Sequence, residues 1–296
     1  MTVFAALGLF AGTGWAAADT APPALFICSG TSQSPGVLSG TFTNVIVQGT
    51  CNVNAGTALV RGNVIVGPGG VLVAAFALND QAGTGTSSLT VQGNVMVQSG
   101  ATLFLGCEAA HSPCNDDPNQ QNPTLSTPGA IGGSLLAVQP LGVLVHNSTI
   151  GLNAIQTGGG GGVNCQPSGV FAQMQSPVFS DYEDNTIGGS LNVTGLGSCW
   201  FGALRNHVAG SVVVVGNTMA DSDANEVLTN QIGGSLICVG NSPAIQFGDS
   251  AGSTPNLVSG AAAGECGFDV LAPSPAPSPG PPPEPAGPLK HISVHA

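Results

Sequence analysis

Charge is what this chain has least of. Asp, Glu, Lys and Arg make up 6% of its 296 residues, where an ordinary soluble domain carries about a quarter. Cations are the scarcer sign: Arg61, Arg205 and Lys290 stand against fifteen acidic residues, for a net charge of −12. A nucleic-acid binder needs clustered Lys and Arg to neutralise phosphates, so that class is excluded. Recruitment to an anionic membrane surface is disfavoured for the same reason. Aromatic residues are also few, at 5%.

Catalytic motifs are missing too. There is no Gly-x-Ser-x-Gly nucleophile elbow. The glycine run Gly158 to Gly162 has no neighbouring Lys and no strand-to-helix setting, so it is not a phosphate loop. His146, His207, His291 and His295 show no metal-ligand spacing. Beyond the N-terminus no apolar run approaches the ~20 residues that span a bilayer, so no membrane insertion is expected after export.

What is present is glycine (45), proline (22) and an apolar fraction of 42%. That apolar fraction is too high for disorder. Together these point to small and β-branched core residues joined by many tight turns. The run Val3 to Ala17, followed by Ala16-Ala17-Ala18 before Asp19, reads as a signal peptide over 1–18. Only Met1 and Thr2 precede it, without the usual positive charge, and an anchor or a buried strand is the alternative. Eight cysteines follow: Cys28, Cys51, Cys107, Cys114, Cys165, Cys199, Cys238 and Cys266. An even count in an exported chain reads as disulfides. Proximity pairs Cys107 with Cys114, and suggests Cys28 with Cys51. Zinc held by Cys107, Cys114 and His111 is the alternative, but no further ligand pair is nearby.

A seven-residue pattern is the strongest signal: Ile or Val, any residue, Gly, Asn or Ser, Val or Leu, any residue, small apolar. Copies begin at Val60, Val91, Ile131, Ile187, Val208 and Ile232, with weaker ones at Thr41 and Ile150. Where no insertion intervenes they recur about every 19–24 residues, too short for a two-helix repeat and suited to a β-solenoid coil. The expected fold is therefore all-β, a right-handed parallel β-helix over 19–270, with about eleven coils, terminal caps at 19–40 and 250–270, and inserted loops at 107–128 and 158–184. The first, fifth and seventh motif residues should lie on one strand face, and the fixed Gly should let the chain turn into that strand. Asn185, Asn206 and Asn230 each precede a repeat by two residues and should stack as an amide ladder. Residues 271–296 read as a Pro-rich extended tail.

Gly93 to Leu103, reading Gly-Asn-Val-x-Val and then Gly-Ala-x-Leu, resembles repeats of bacterial β-helix proteins such as the bactofilins, in architecture only. Asp181 to Gly189, with Ala203 to Val208, is similar to exported actinobacterial proteins of uncharacterised function. That resemblance spans 30–270 and implies no activity. The wider pectate-lyase-like superfamily implies carbohydrate chemistry by analogy of fold.

The acidic residues group at Asp116-Asp117, at Asp181/Glu183/Asp184, and at Asp221/Asp223/Glu226. By analogy with a polyuronate lyase, Asp181, Glu183, Asp184, Asp221 and Asp223 are candidate calcium ligands. Asp184, Arg205 and His207 are the candidate catalytic groups, with Arg205 as the cation or base. The competing reading makes Asp184 and Arg205 a salt bridge between neighbouring coils. Trp200 and Phe201 are either a sugar-stacking platform or filling for the coil interior. The leading expectation is an exported, non-enzymatic structural or binding β-helix, with polysaccharide or cell wall as the partner class. The alternative is a polysaccharide lyase or hydrolase built on the 181–226 cluster.

Overall fold

A computed structural model describes residues 24–247 and 255–268. The expected signal peptide (1–18) and Pro-rich tail (271–296) lie outside the described residues.

The chain winds as a parallel β-helix with three sheets. Sheet A has ten strands, running from Phe26–Cys28 to Ala262–Gly264. Sheet B has eight, from Gly36–Val37 to Glu226–Leu228, and sheet C has nine, from Gly40–Phe42 to Leu257–Val258. Successive strands of one sheet come from successive coils, all paired parallel and in register. At ~4.8 Å per rung, the nine steps of sheet A make roughly 43 Å. That is one rung fewer than the repeat spacing suggested.

The seven-residue pattern turns a corner. Its first residue ends a sheet C strand (Val60, Val91, Ile131, Ile150), and its fifth and seventh sit on sheet A (Val64 and Val66, Val95 and Val97). All three kinds of position are buried and face one core, but they come from two strands. The pattern's third residue explains its glycine. A Cβ on Gly62 would meet the Thr43 carbonyl oxygen at 2.6 Å, and one on Gly93 would meet the Gly62 oxygen at 2.5 Å. Corners stack so closely that no side chain fits between them. In the weak first copy, Phe42 and not Thr41 pairs with Val60, because that corner is one residue shorter.

The core is a set of stacked apolar columns. It is interrupted by one polar group: Tyr182 Oη donates to Gln156 Oε1 at 3.0 Å, and Gln156 Nε2 donates to Ser180 Oγ at 2.9 Å. All three are fully buried, and pairing them avoids the cost of an unsatisfied polar atom.

Side-chain ladders hold the corners. Asn185, Asn206 and Asn230 stack as expected, and Asn256 extends the column. Each amide nitrogen donates to the next Asn Oδ1 at 2.8–3.0 Å. The motif's fourth position makes a longer ladder through Asn44, Asn63, Asn94, Ser134, Asn153, Ser190, Ser211 and Ser235. The side-chain oxygen of each accepts the backbone N–H one coil on. Column by column, these side chains satisfy turn N–H groups that a stacked corner would otherwise bury unpaired.

Four disulfides brace the structure, and no described cysteine is free. Cys107–Cys114 and Cys28–Cys51 form as expected, joined by Cys165–Cys199 and Cys238–Cys266. Four such bonds fit folding in an oxidising compartment. The segments expected as caps supply regular rungs: Phe26–Cys28 opens sheet A, and Leu257–Val258 and Ala262–Gly264 close sheets C and A. A 3-10 turn, Glu265–Phe268, follows and is fastened by Cys266. No helix among the described residues is long and apolar enough to cross a membrane.

Candidate functional site

The insertions occupy 75–87, 106–129 and 158–178, and each enters or leaves the chain beside sheet B. They fold over its outer face. Val73, Phe104 and Leu144, stacked in register on that face, form a second apolar cluster with Phe76, Phe171 and Met174 from the loops. Acidic residues hold part of this cover together. Asp116 accepts the backbone N–H groups of Ala77 (2.8 Å) and Leu78 (2.5 Å), and Asp117 accepts those of Asn119, Thr124 and Leu125. The first acidic pair is thus a backbone clasp.

Further along sheet B the outward column changes character, from Leu144 to Asp181 to Gly202 to Glu226. Beside it His146 stacks on Glu183. The alternation of each strand sends these side chains out while Val145, Tyr182 and Ala203 point in. His146, Asp181, Glu183 and Glu226 are each at least nine-tenths buried.

Arg205 is the centre of the polar cluster. Its Nε donates to both Asp184 oxygens at 2.9 and 3.0 Å, and its Nη2 donates to Asp184 Oδ2 at 2.7 Å and Glu183 Oε2 at 2.9 Å. Asp184 and Arg205 both adopt left-handed backbone, with φ of 55° each, at stacked corners between sheets B and C. The inter-coil salt bridge read from the spacing is present, and it takes in a third residue.

His146 Nδ1 lies 2.7 Å from Ser112 Oγ and 3.7 Å from Glu183 Oε2. Ser, His and Glu together have the composition of a nucleophilic triad, but both partners share one ring nitrogen. A relay needs the serine and the acid on opposite nitrogens, so this is not one. Trp200 Nε1 donates to Glu226 Oε1 at 3.1 Å. Gly202 leaves room for the indole, since a Cβ there would collide with the ring. Phe201, the neighbour, faces inward and is fully buried. The pair therefore divides: Phe201 fills the coil interior, while Trp200 lies on the outer face of sheet B.

Electrostatics follow from this packing. Burial, and then the neighbouring Glu183, push the Asp181 carboxyl well above the usual carboxylate range. Burial, a hydrogen bond with Asp184 and that residue's charge push Glu108 up to about 8. Burial acts to raise Glu183 as well, but His146 and Arg205 outweigh it and hold that carboxyl down at about 2. Burial alone would lower Arg205, yet Asp184 and Glu183 raise it. Near neutrality Arg205 therefore faces an ionised Glu183, while Glu108 keeps its proton.

Two sets of ligand atoms lie close enough to hold a cation, each within 4.8 Å: His146, Asp181 and Glu183, and Glu108, His111 and Asp184. In both, one carboxylate is already engaged by Arg205. The sequence candidates thus part company. Asp181, Glu183, Asp184 and Arg205 come together. Asp221 and Asp223 sit in a surface loop where Asp223 N–H caps Asp221 Oδ1, and neither belongs to these two sets. His207 is exposed on sheet C, with Nδ1 3.3 Å from Gln231 Oε1. Three residues that spacing did not single out, Glu108, Ser112 and His146, join the cluster. Counting rungs would have placed His146 beside Glu183, had the length of the insertion at 158–178 been known.

The chain matches no family model, no curated protein and no solved structure.

Proposed function

We propose that this is an exported, disulfide-braced rod with a structural or binding role, acting without catalysing a reaction. The observation that carries it is the state of the acidic cluster. Asp181, Glu183 and Glu226 are buried, and Arg205, the nearby cation, is already held by two carboxylates. A polysaccharide-processing site has to present its acid and base to a polymer. Glycosidase carboxylates stand about 5–9.5 Å apart to leave room for the sugar or a water. Here Glu108 and Asp184 share a hydrogen bond, which leaves no room for a sugar or a water between them. An anionic polymer would also need a second cation, and Arg61 is the other Lys or Arg among the described residues. Export is supported by the Val3 to Ala17 run and by the four disulfides.

One observation favours the enzymatic alternative: Glu108 is partly exposed and stays protonated up to about pH 8, which suits a general acid. The deciding experiment mixes oxidised protein with a panel of polysaccharides and cell-wall preparations, with and without calcium. Co-sedimentation and soluble sugar products are measured together. Catalytic release of products overturns the proposal and directs mutagenesis to Glu108, Asp184 and Arg205. Binding without products makes the rod a recognition element. Neither result leaves a structural role.

A further inference from the structure

Sheet A has an outer face that no part of the described chain covers. Its central outward column runs Ile27, Ile46, Ile65, Met96, Leu136, Ile155, Asn192, Val213, Ile237 and Ala263, in register through all ten rungs. Ile27 is 49% exposed and Met96 38%, and a parallel column adds Val138 at 57% and Val239 at 50%. None of the residues in the ten strands is acidic or basic. In a chain of net charge −12, this face is both uncharged and apolar, whereas the exposed positions of sheet C include Thr57, Thr149, Thr186, His207 and Gln231.

We infer that sheet A is a self-association surface, and that its partner is sheet A of a second copy of this chain. Three properties select that occupant. A face about 43 Å long and three or four residues (roughly 10–13 Å) wide covers about 500 Å² per copy. Two copies then bury about 1,000 Å², the lower bound for a specific interface. Side-chain ridges repeating every ~4.8 Å interdigitate with a surface of the same repeat, which another copy supplies, as in stacked sheets about 10 Å apart. Finally, two molecules of like charge can approach closely only across faces that carry none of it, and the acids lie elsewhere. The inference is independent of whether the rod cleaves a glycan.

Sedimentation equilibrium of the oxidised full-length chain between about 1 and 100 µM tests it. The expected result is a monomer–dimer equilibrium that tightens as salt screens the net charge. Met96→Lys/Leu136→Lys, adjacent on the face, should weaken association at least tenfold. Thr149→Lys, outward on sheet C, should leave it unchanged. If the double Lys variant loses its cooperative thermal transition, Met96→Gln/Leu136→Gln takes its place, with a smaller weakening expected. A wild type that stays monomeric at 100 µM overturns the inference. So does association that persists undiminished in a folded face variant, which would assign it to another segment such as Val3 to Ala17. Flotation of the wild type on phosphatidylcholine vesicles, abolished by the face substitutions and without dimers in solution, would replace the second copy with a lipid surface.

Discussion

Two faces of the same helix meet solvent in opposite ways. On one coil, Met96 points out from sheet A and is 38% exposed, while Phe104 points out from sheet B and is 4% exposed. Both are large, apolar and outward. The difference is that three insertions lie over sheet B and none over sheet A. Where loops arrive, the β-helix gains a second core, and beneath the same cover it tolerates acids that an open face would keep in water. Where no loop arrives, the strands hold no charge and their exposed apolar side chains are left for a partner. In this solenoid, insertions decide which face becomes interior.

The sharpest way to break the comparison is to truncate both residues. Phe104→Ala should cost about 3–5 kcal/mol in denaturant unfolding, as a covered aromatic. Met96→Ala should cost about 1 kcal/mol or less at concentrations where the chain is monomeric. Equal costs would mean that the loops do not make a core.

Arg205→Met probes the polar half of sheet B and should cost about 3–5 kcal/mol, because Glu183 would lose its cation while still buried. A loss below about 1 kcal/mol would show that water reaches the cluster and that its burial is incomplete.

pH should separate the faces next. Glu108 binds its proton more tightly folded than unfolded, so its contribution is intact below about pH 4.5. It then falls as pH rises toward about 8. Glu183 has the opposite sign: its contribution is present above about 4.5 and is lost as pH falls toward about 2. Thermal stability should therefore peak in mild acid, and Glu108→Gln should flatten the alkaline limb. A slope unchanged by that substitution would assign the limb to another group. Sheet A substitutions should leave the profile untouched.

Calcium should have the smallest effect. With Arg205 already on Glu183 and Asp184, about 1 mM calcium is expected to move the Tm by less than about 1 °C. A rise of several degrees, abolished by Asp181→Asn, would establish a cation site on sheet B.

Much of this is legible in the sequence alone. Val60, Val91 and Ile131 marked the coils because a buried column demands the same residue class once per turn. Asn185, Asn206 and Asn230 announced a ladder by their constant offset from the motif. The longer ladder, from Asn44 to Ser235, was in plain view as the motif's fourth position. It was missed because Asn and Ser after Gly are ordinary turn residues, and their role emerges only when turns stack. The acidic residues misled for a related reason. Asp221 and Asp223 are near Glu226 in sequence, but a surface loop separates them from sheet B. Glu108 and Ser112, some 70 residues before Asp184 and Glu183, arrive on an inserted loop whose path no periodicity records.

By itself, then, the sequence determined the coil and its core columns, and suggested two of its four disulfides. Each depends on local alternation, on a fixed repeat or on short separation. The tertiary structure decided which outer face is covered, which acids are buried and which carboxylate keeps its proton. Those depend on where irregular loops come to rest, and desolvation acts on whatever they happen to enclose.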